Sequence, residues 1–224
     1  MKRLLLLLAL GAMLVPAVHA SNTRADGARR VISCEAILRN MMASPATAIP
    51  ADVLHRAKAI VIVNQFQGAF LFGIKGGYGV VLAKKPNGSW SVPAFLNASE
   101  LSLGLQLGGK SIETVFIITD DASIRLLFGN RVNFGVDAKA VAGPRAAEAD
   151  SSSDILSASV LVYQNASGLY AGATVKTGFL SPNDEGNHIF YSTIYSMPEI
   201  IFSDMVQPNS DVTPLMDYVT QITR

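Results

Sequence analysis

The sequence predicts an α+β fold: a single compact domain dominated by antiparallel β-sheet, with amphipathic helices near the N-terminus and at the C-terminus. Half of the 224 residues are apolar, which is enough to build a full core in one domain. Short β-branched and aromatic runs separated by turn signals fill the middle of the chain. Apolar residues at helical spacing are found mainly towards the two ends.

The first twenty residues follow the pattern of a secretory signal peptide. Residues 1–3 are a basic start, residues 4–15 are an apolar run, and residues 18–20 (Val-His-Ala) precede a cleavage point. The run is too short to span a bilayer comfortably. We therefore expect cleavage after Ala20 and export to a bacterial periplasm, with eukaryotic secretion as the alternative. The mature chain is expected to be soluble or peripherally attached to a membrane.

Two helices are expected at the start of the mature chain. Residues 24–43 place apolar side chains at helical spacing with arginines among them, which predicts an amphipathic helix. Residues 50–59 predict a shorter helix, because Pro50 suits the first turn.

Strands are expected to follow, joined by turns at glycines. The tract "GIKGGYG" (73–79) is interpreted as a turn between two strands, because no helix follows it as a phosphate-binding loop would require. Residues 86–88 (Pro-Asn-Gly) predict a hairpin turn, since Asn-Gly accepts the positive φ angles of a tight turn. The strands expected in this part of the chain are 60–63, 69–74, 78–83, 89–96, 101–108 and 113–119.

The remaining elements are predicted from caps and alternation. Residues 120–121 (Asp-Asp) are expected to cap a helix over 122–128. Strands are then expected at 130–142, 155–164 and 169–180. The chain is expected to be less regular after residue 181 and to close with a helix over 211–222.

Charge is distributed unevenly along the mature chain. Residues 21–145 hold 14 basic and 8 acidic side chains, whereas residues 146–224 hold 2 basic and 9 acidic ones. Such a chain can present a cationic face to an anionic surface, or its halves can neutralise each other in space. The single cysteine, Cys34, excludes an internal disulfide and a cysteine-based metal cluster.

Motifs for enzymatic chemistry are weak. Residues 104–111 (GLQLGGKS) match a Walker A pattern, but a strand is expected after them where a phosphate loop needs a helix. His188 with Asp184 and Glu185 could bind a metal, although a surface loop is the favoured interpretation. No G-x-S-x-G elbow is present. We expect no catalytic residues, no metal, no cofactor, and neither nucleotide nor nucleic acid as a partner.

Five segments in collinear order resemble the SYLF lipid-binding domain: "AIPADVLHRAKAIVIV", "GAFLFGIKGGYGVVLAKKPNGSWSVPAFL", "NFGVDAKAVAGP", "GLYAGATVKTGFL" and "NDEGNHIFYS". The resemblance covers residues 24–202 and implies a compact, non-enzymatic domain that binds phospholipids. Eukaryotic members favour phosphoinositides and some bind actin. An exported bacterial member would meet other anionic lipids and no actin. The expected organisation is a signal peptide (1–20), a SYLF-like domain (21–202) and a helical extension (203–224).

The resemblance, together with the charge pattern, predicts a lipid-binding surface. Family members use a basic N-terminal amphipathic helix, which implies that helix 24–43 lays Val31, Ile32 and Leu38 at a membrane interface. The alternative is that this apolar face packs on the sheet. A second hypothesis is a structural or protein-interaction module of the envelope with incidental lipid contact, supported by the acidic C-terminal half. The candidate lipid-binding residues are Arg29, Arg30, Arg39, Lys58, Lys75, Lys84 and Lys85.

Overall fold

The computed structural model describes residues 23–67, 73–102, 110–137, 140–143, 157–165 and 178–224. The expected signal peptide (1–20), most of the strand expected at 101–108, and the strand expected at 169–180 up to residue 177 lie outside these residues. Within them, a seven-stranded sheet is flanked by helices at both ends of the chain, which confirms the predicted fold class.

The elements of the described residues follow one another along the chain in this order: α1 Arg24–Ala43, α2 Ala51–His55, β1 Ala59–Gln67, β2 Gly73–Ala83, β3 Ala94–Ser102, β4 Lys110–Ile118, α3 Asp121–Leu126, α4 Phe134–Asp137, β5 Ala140–Ala142, β6 Val160–Asn165, β7 Phe179–Pro182, α5 Asp184–Tyr191, α6 Met197–Phe202 and α7 Thr213–Ile222.

The sheet is a mostly antiparallel, curled array with the order β5-β6-β4-β1-β2-β3-β7. Only β5 and β6 are parallel among the described strands. Val132 forms a bridge with Leu180 of β7, at one edge, while Ala140 begins β5 at the other edge. Seven residues separate these two contacts, so the chain between them limits how far apart the two edges can lie. The sheet therefore curls around an apolar interior that contains Phe116 and Phe134.

Helix α1 packs lengthwise on the sheet. Thr23 and Asp26 form a capping box at its start. Val31 and Leu38 are fully buried, whereas 59% of Ile32 is exposed. The expectation that Val31 and Leu38 lie at a membrane interface is therefore wrong, because the sheet already covers that face of the helix. The packing alternative holds, and Ile32 alone of the three side chains reaches solvent.

The glycine tract is part of a strand, so its interpretation as a turn between two strands is wrong. Gly73–Ala83 forms the continuous strand β2, paired with β1 and β3 along its length. A Cβ on Gly77 would lie 2.3 Å from the backbone oxygen of Asn64, and one on Gly79 would lie 2.6 Å from that of Ile62. Glycine is needed here because the curled sheet brings the two backbones too close for a side chain.

The hairpin between β2 and β3 is present with a different turn from the one predicted. Lys84 bridges to Trp90, and Lys85 N donates to Ser89 O at 2.8 Å. Gly88 has a φ of 84°, but Asn87 does not share this sign. Instead, the Asn87 side chain accepts hydrogen bonds from Ser89. Strand β3 begins at Ala94 rather than at residue 89.

Several later elements differ from the predictions. The alternating residues 130–142 form the short helix α4 and strand β5 rather than one long strand. Residues after 181 are regular, since they form α5 with Asn183 as its N-cap and α6 with a Ser196–Glu199 capping box. His188 therefore lies in a helix and not in a loop. The strand expected after the Walker A match is present as β4, and helix α3 is capped by Asp120 as predicted.

The C-terminal helix α7 completes the core. Val212, Leu215 and Val219 are fully buried. The indole Nε1 of Trp90 donates a hydrogen bond to Thr223 Oγ1 at 2.9 Å. Residues 203–224 are thus tied to the β2–β3 hairpin and to the packing beneath α7.

Candidate functional site

The solvent-facing side of α1 carries a stripe of alternating small, apolar and basic residues. These positions recur every three to four residues, so they lie on one side of the helix. All of them are exposed. The exposed fraction of the side chain is 70% for Arg29 and 48% for Arg39. We call this stripe the outer face of α1, and its members are Ala25, Arg29, Ile32, Ala36, Arg39 and Ala43.

Each of the two arginines of the outer face pairs with a carboxylate one turn earlier in α1, and Arg39 also lies over the ring of Tyr218 in α7. Arg29 forms an ion pair with Asp26, one turn earlier. Hydrogen bonds from Thr23, followed by the charge of Arg29, hold the pKa of the Asp26 carboxyl below its ordinary value. Arg39 Nε lies 2.7 Å from Glu35 Oε1. Exposed pairs of this kind contribute only about 0–1 kcal/mol, so an external anion can compete for both guanidinium groups.

Arg30 lies on the side of α1 that approaches the sheet. Its guanidinium carbon is 5.6 Å from the ring centroid of Tyr78 in β2. Tyr78 Oη donates to Ser33 Oγ at 2.9 Å and accepts from Asn64 Nδ2 at 3.3 Å. Ser111 Oγ in turn donates to Asn64 Oδ1 at 2.7 Å. Arg30 thus borders a polar network that links α1 to three strands.

Lys58, Lys84 and Lys85 lie together at one end of the sheet. Lys84 N donates to Lys58 O at 2.7 Å, which places the two residues side by side. Lys58 Nζ is 2.9 Å from Asp121, and Lys84 Nζ is 5.5 Å from the ring of Trp90. Lys85 is only 12% exposed, so of the three it is the least accessible to a ligand.

Lys75 lies towards the opposite end of β2. Its cross-strand neighbours are Gln67 in β1 and Glu100 in β3, and the position of its side chain is outside what the structure describes. Arg30 approaches Tyr78, whereas Cys34 Sγ lies 3.7 Å from Ile62 O, further along the sheet. Helix α1 therefore runs in the direction of β2, and its N-terminal half lies at the end of the sheet where Lys75 is found.

The seven predicted cations therefore do not form one continuous patch. Two lie on the outer face of α1, Arg30 borders the sheet beneath it, and the lysines are divided between opposite ends of the sheet. Sequence reasoning also missed Arg24, whose guanidinium carbon lies 5.3 Å from the ring of Phe190 and whose NH2 lies 2.9 Å from Asp211. Its place on the same basic helix was the one sequence signal that could have included it.

The described surface also carries exposed apolar side chains away from α1. Ile194 is 89% exposed, Met205 63% and Phe202 42%. No helix in the described ranges is long and apolar enough to cross a membrane. In the same ranges, His, Cys, Asp and Glu side chains do not gather in groups of three or more that could hold a metal ion.

Comparison with known proteins identifies similar sequences. The sequence model of the family described as "Ysc84: Las17-binding protein actin regulator" matches residues 99–222. The chain is 29% identical to "SH3 domain-containing YSC84-like protein 1" of Bos taurus over 181 residues, which cover 79% of this chain and 53% of that relative. It is 31% identical to "LAS seventeen-binding protein 3" of Saccharomyces cerevisiae over 172 residues, covering 75% of this chain and 37% of that relative. The chain spans about half, or less, of the length of these relatives.

Proposed function

The chain belongs to the Ysc84 family, the family of the SYLF domain, and on that premise we propose that it is a non-enzymatic protein that binds anionic phospholipid surfaces of the cell envelope. The observation that carries this proposal is the outer face of α1. It presents Ile32 between two exposed arginines, Arg29 and Arg39, on a helix whose opposite side is fixed to the sheet.

The contact is peripheral, and α1 stays folded on the sheet. Ile32 and the small alanines of the outer face enter the boundary between headgroups and acyl chains, while the arginines meet phosphates. Each cation close to an anionic surface contributes about 1 kcal/mol of attraction. Separating Arg29 from Asp26 and Arg39 from Glu35 costs little, because both arginine side chains are exposed to water.

The other candidate cations have supporting roles. Lys75 lies at the same end of the sheet as the N-terminal half of α1, where Arg30 also lies. Lys58 and Lys84 lie at the opposite end, beside one another. We place Arg29 and Arg39 at the centre of the contact and expect these lysines to steer the protein towards an anionic surface.

Vesicle co-sedimentation tests the proposal. We expect binding to vesicles that contain phosphatidylglycerol, weak binding to pure phosphatidylcholine vesicles, and loss of the difference at high salt, because salt screens surface charge. Equal binding to both vesicle types at all salt concentrations, or no binding to either, would refute the proposal.

A protein-interaction module is the second candidate function. The exposed side chains of Phe202 and Met205, three residues apart in the chain, favour it, since exposed apolar patches mark protein contact sites. The description of the family and the name of the yeast relative also refer to binding of Las17. Deleting residues 203–224 is a poor test, because it removes buried core residues. Pull-down from envelope extract with wild type and the double variant Phe202→Ser/Met205→Ser tests it instead, and equal capture by both proteins would count against it.

We also propose that the chain is exported, on the signal-peptide pattern of residues 1–20. Cell fractionation followed by mass spectrometry of the mature protein tests this. The expected mass begins at Ser21, and recovery of the full-length chain from the cytoplasm would contradict export.

A further inference from the structure

Residues 203–224, which we call the C-terminal strap, contact three cations: two arginines of α1 and one lysine of the β2–β3 hairpin. Asp204 Oδ1 lies 2.7 Å from Lys85 Nζ, and the backbone oxygen of Ser203 accepts from the same nitrogen at 2.9 Å. Within the described residues, both hydrogen-bond acceptors of Lys85 Nζ therefore belong to the strap.

The strap also contacts α1 near each of its ends. Asp211 Oδ2 lies 2.9 Å from Arg24 NH2, an ion contact without the alignment of a hydrogen bond. The guanidinium carbon of Arg39 lies 3.9 Å from the centroid of the Tyr218 ring. Arg39 belongs to the outer face, so the strap reaches the proposed membrane contact itself.

In the Lys85–Asp204 pair, the cation is far more buried than its acidic partner. Lys85 is 12% exposed while its partner Asp204 is 83% exposed, so the acidic side chain covers the cation from the solvent side. An anionic headgroup that approaches Lys85 therefore meets Asp204 first. At Arg39, the guanidinium carbon lies over the Tyr218 ring, and this contact holds the side chain against the strap, away from a headgroup phosphate that would bind its N–H groups.

We propose that the C-terminal strap is an autoinhibitory element that competes with anionic headgroups for Arg24, Arg39 and Lys85. Apolar anchoring by Val212, Leu215 and Val219 keeps the strap docked. One side chain of each ion pair is open to solvent, Asp204 at 83% and Arg24 at 53%, so an anion from outside can compete for these contacts. Affinity for an anionic surface is thus set by a local competition and does not require the strap to leave the fold. The inference rests on the proposed function, because the competing ligand is the lipid headgroup.

Matched variants distinguish two effects on vesicle binding: the release of a cation from the strap and a change in the net charge of the protein. Asp204→Asn and Asp211→Asn remove one negative charge at a strap contact, and Asp217→Asn removes the same charge from an exposed position of α7 that pairs with none of these three cations in the described residues. Tyr218→Leu removes the ring above Arg39 without changing charge, whereas Tyr218→Phe keeps the ring.

The measurement is the partition coefficient on mixed phosphatidylcholine–phosphatidylglycerol vesicles, with circular dichroism and thermal unfolding to show that each variant is folded. Releasing one cation is expected to tighten binding by roughly fivefold. The partition coefficient should be higher for Asp204→Asn and Asp211→Asn than for their control, Asp217→Asn. It should likewise be higher for Tyr218→Leu than for its control, Tyr218→Phe.

The outcomes distinguish this inference from the proposed function. If wild type binds anionic vesicles but each strap variant binds like its control, the strap has no inhibitory role while the proposed function stands. If neither wild type nor any variant binds, both ideas fall. Binding by the strap variants alone would support the inhibitory role of the strap and would contradict the proposed function of the wild-type protein.

Discussion

The side-chain amide of Asn187 in α5 pairs with the backbone of Phe95 in β3. Asn187 Oδ1 accepts from Phe95 N at 2.7 Å, and Nδ2 lies 3.4 Å from Phe95 O. The pairing of β3 with β7 ends one residue away, at Leu96. The fully buried amide therefore continues the hydrogen-bonding edge of β3 beyond the last residue of β7, and it fixes α5 against the sheet.

Replacing Asn187 should destabilise the fold. Asn187→Ala leaves the buried amide of Phe95 without the acceptor it has now, and an unmet buried donor costs about 1–3 kcal/mol. Urea unfolding measures the loss. The matched control is Asn97→Ala at an exposed position of β3, which should change the free energy of unfolding by less than about 0.5 kcal/mol. Equal losses in the two variants would show that the amide pairing is not what stabilises this junction.

The glycines of β2 should differ sharply in their tolerance of a methyl group. Gly77→Ala places a Cβ against the backbone of β1 and should cost about 1–3 kcal/mol, as overpacking does. Gly76→Ala meets nothing within 4 Å and should be neutral or slightly stabilising. Thermal unfolding of both variants checks this, and similar melting temperatures would contradict the close approach of the two strands.

The outer face of α1 should carry more of the vesicle affinity than other cations do. Arg29→Glu and Arg39→Glu each change two units of charge at the proposed contact, so each should weaken binding by roughly 30-fold. Lys58→Glu makes the same change in net charge at the end of the sheet and serves as the control. Co-sedimentation at matched salt compares them. A loss in Lys58→Glu as large as in Arg29→Glu would show that only net charge matters.

Lys75, in the glycine-rich part of β2, is a candidate lipid-binding residue. Lys75→Glu should weaken binding to anionic vesicles and leave the fold intact, because the substitution lies near the rim of the sheet beside the N-terminal half of α1. Vesicle binding and circular dichroism together test this. Unchanged binding would leave the tract with an architectural role alone.

The Cys34 thiol should not react with thiol reagents in the native protein. It is fully buried between α1 and the sheet, and this burial raises the pKa of its thiol to about 12. The thiol therefore stays protonated at neutral and mildly alkaline pH, where only a thiolate reacts quickly. A chromogenic disulfide reagent should label it only after urea is added. Rapid labelling in buffer would show that α1 detaches from the sheet.

Much of the fold could be predicted because its signals are local. The helical spacing of residues 24–43 and the β-branched run at 113–119 each specify their own structure, as does the cap at Asp120. Prediction failed where a long-range contact decides the conformation. Positions 77 and 79 of the tract are glycines because β1 passes close to them, and the sequence around them contains no sign of that approach.

For the candidate site, too, the local features could be predicted and the long-range contacts could not. The sequence by itself determined that the chain has a basic N-terminal helix, an acidic C-terminal half and the motifs of its family. Only the tertiary structure decided which cations face solvent, because exposure and pairing depend on residues far away in the chain. Val31 and Leu38 are buried by the sheet, and Asp204, Asp211 and Tyr218 meet cations more than a hundred residues earlier. Such contacts arise when distant segments fold against each other, and no local pattern encodes them.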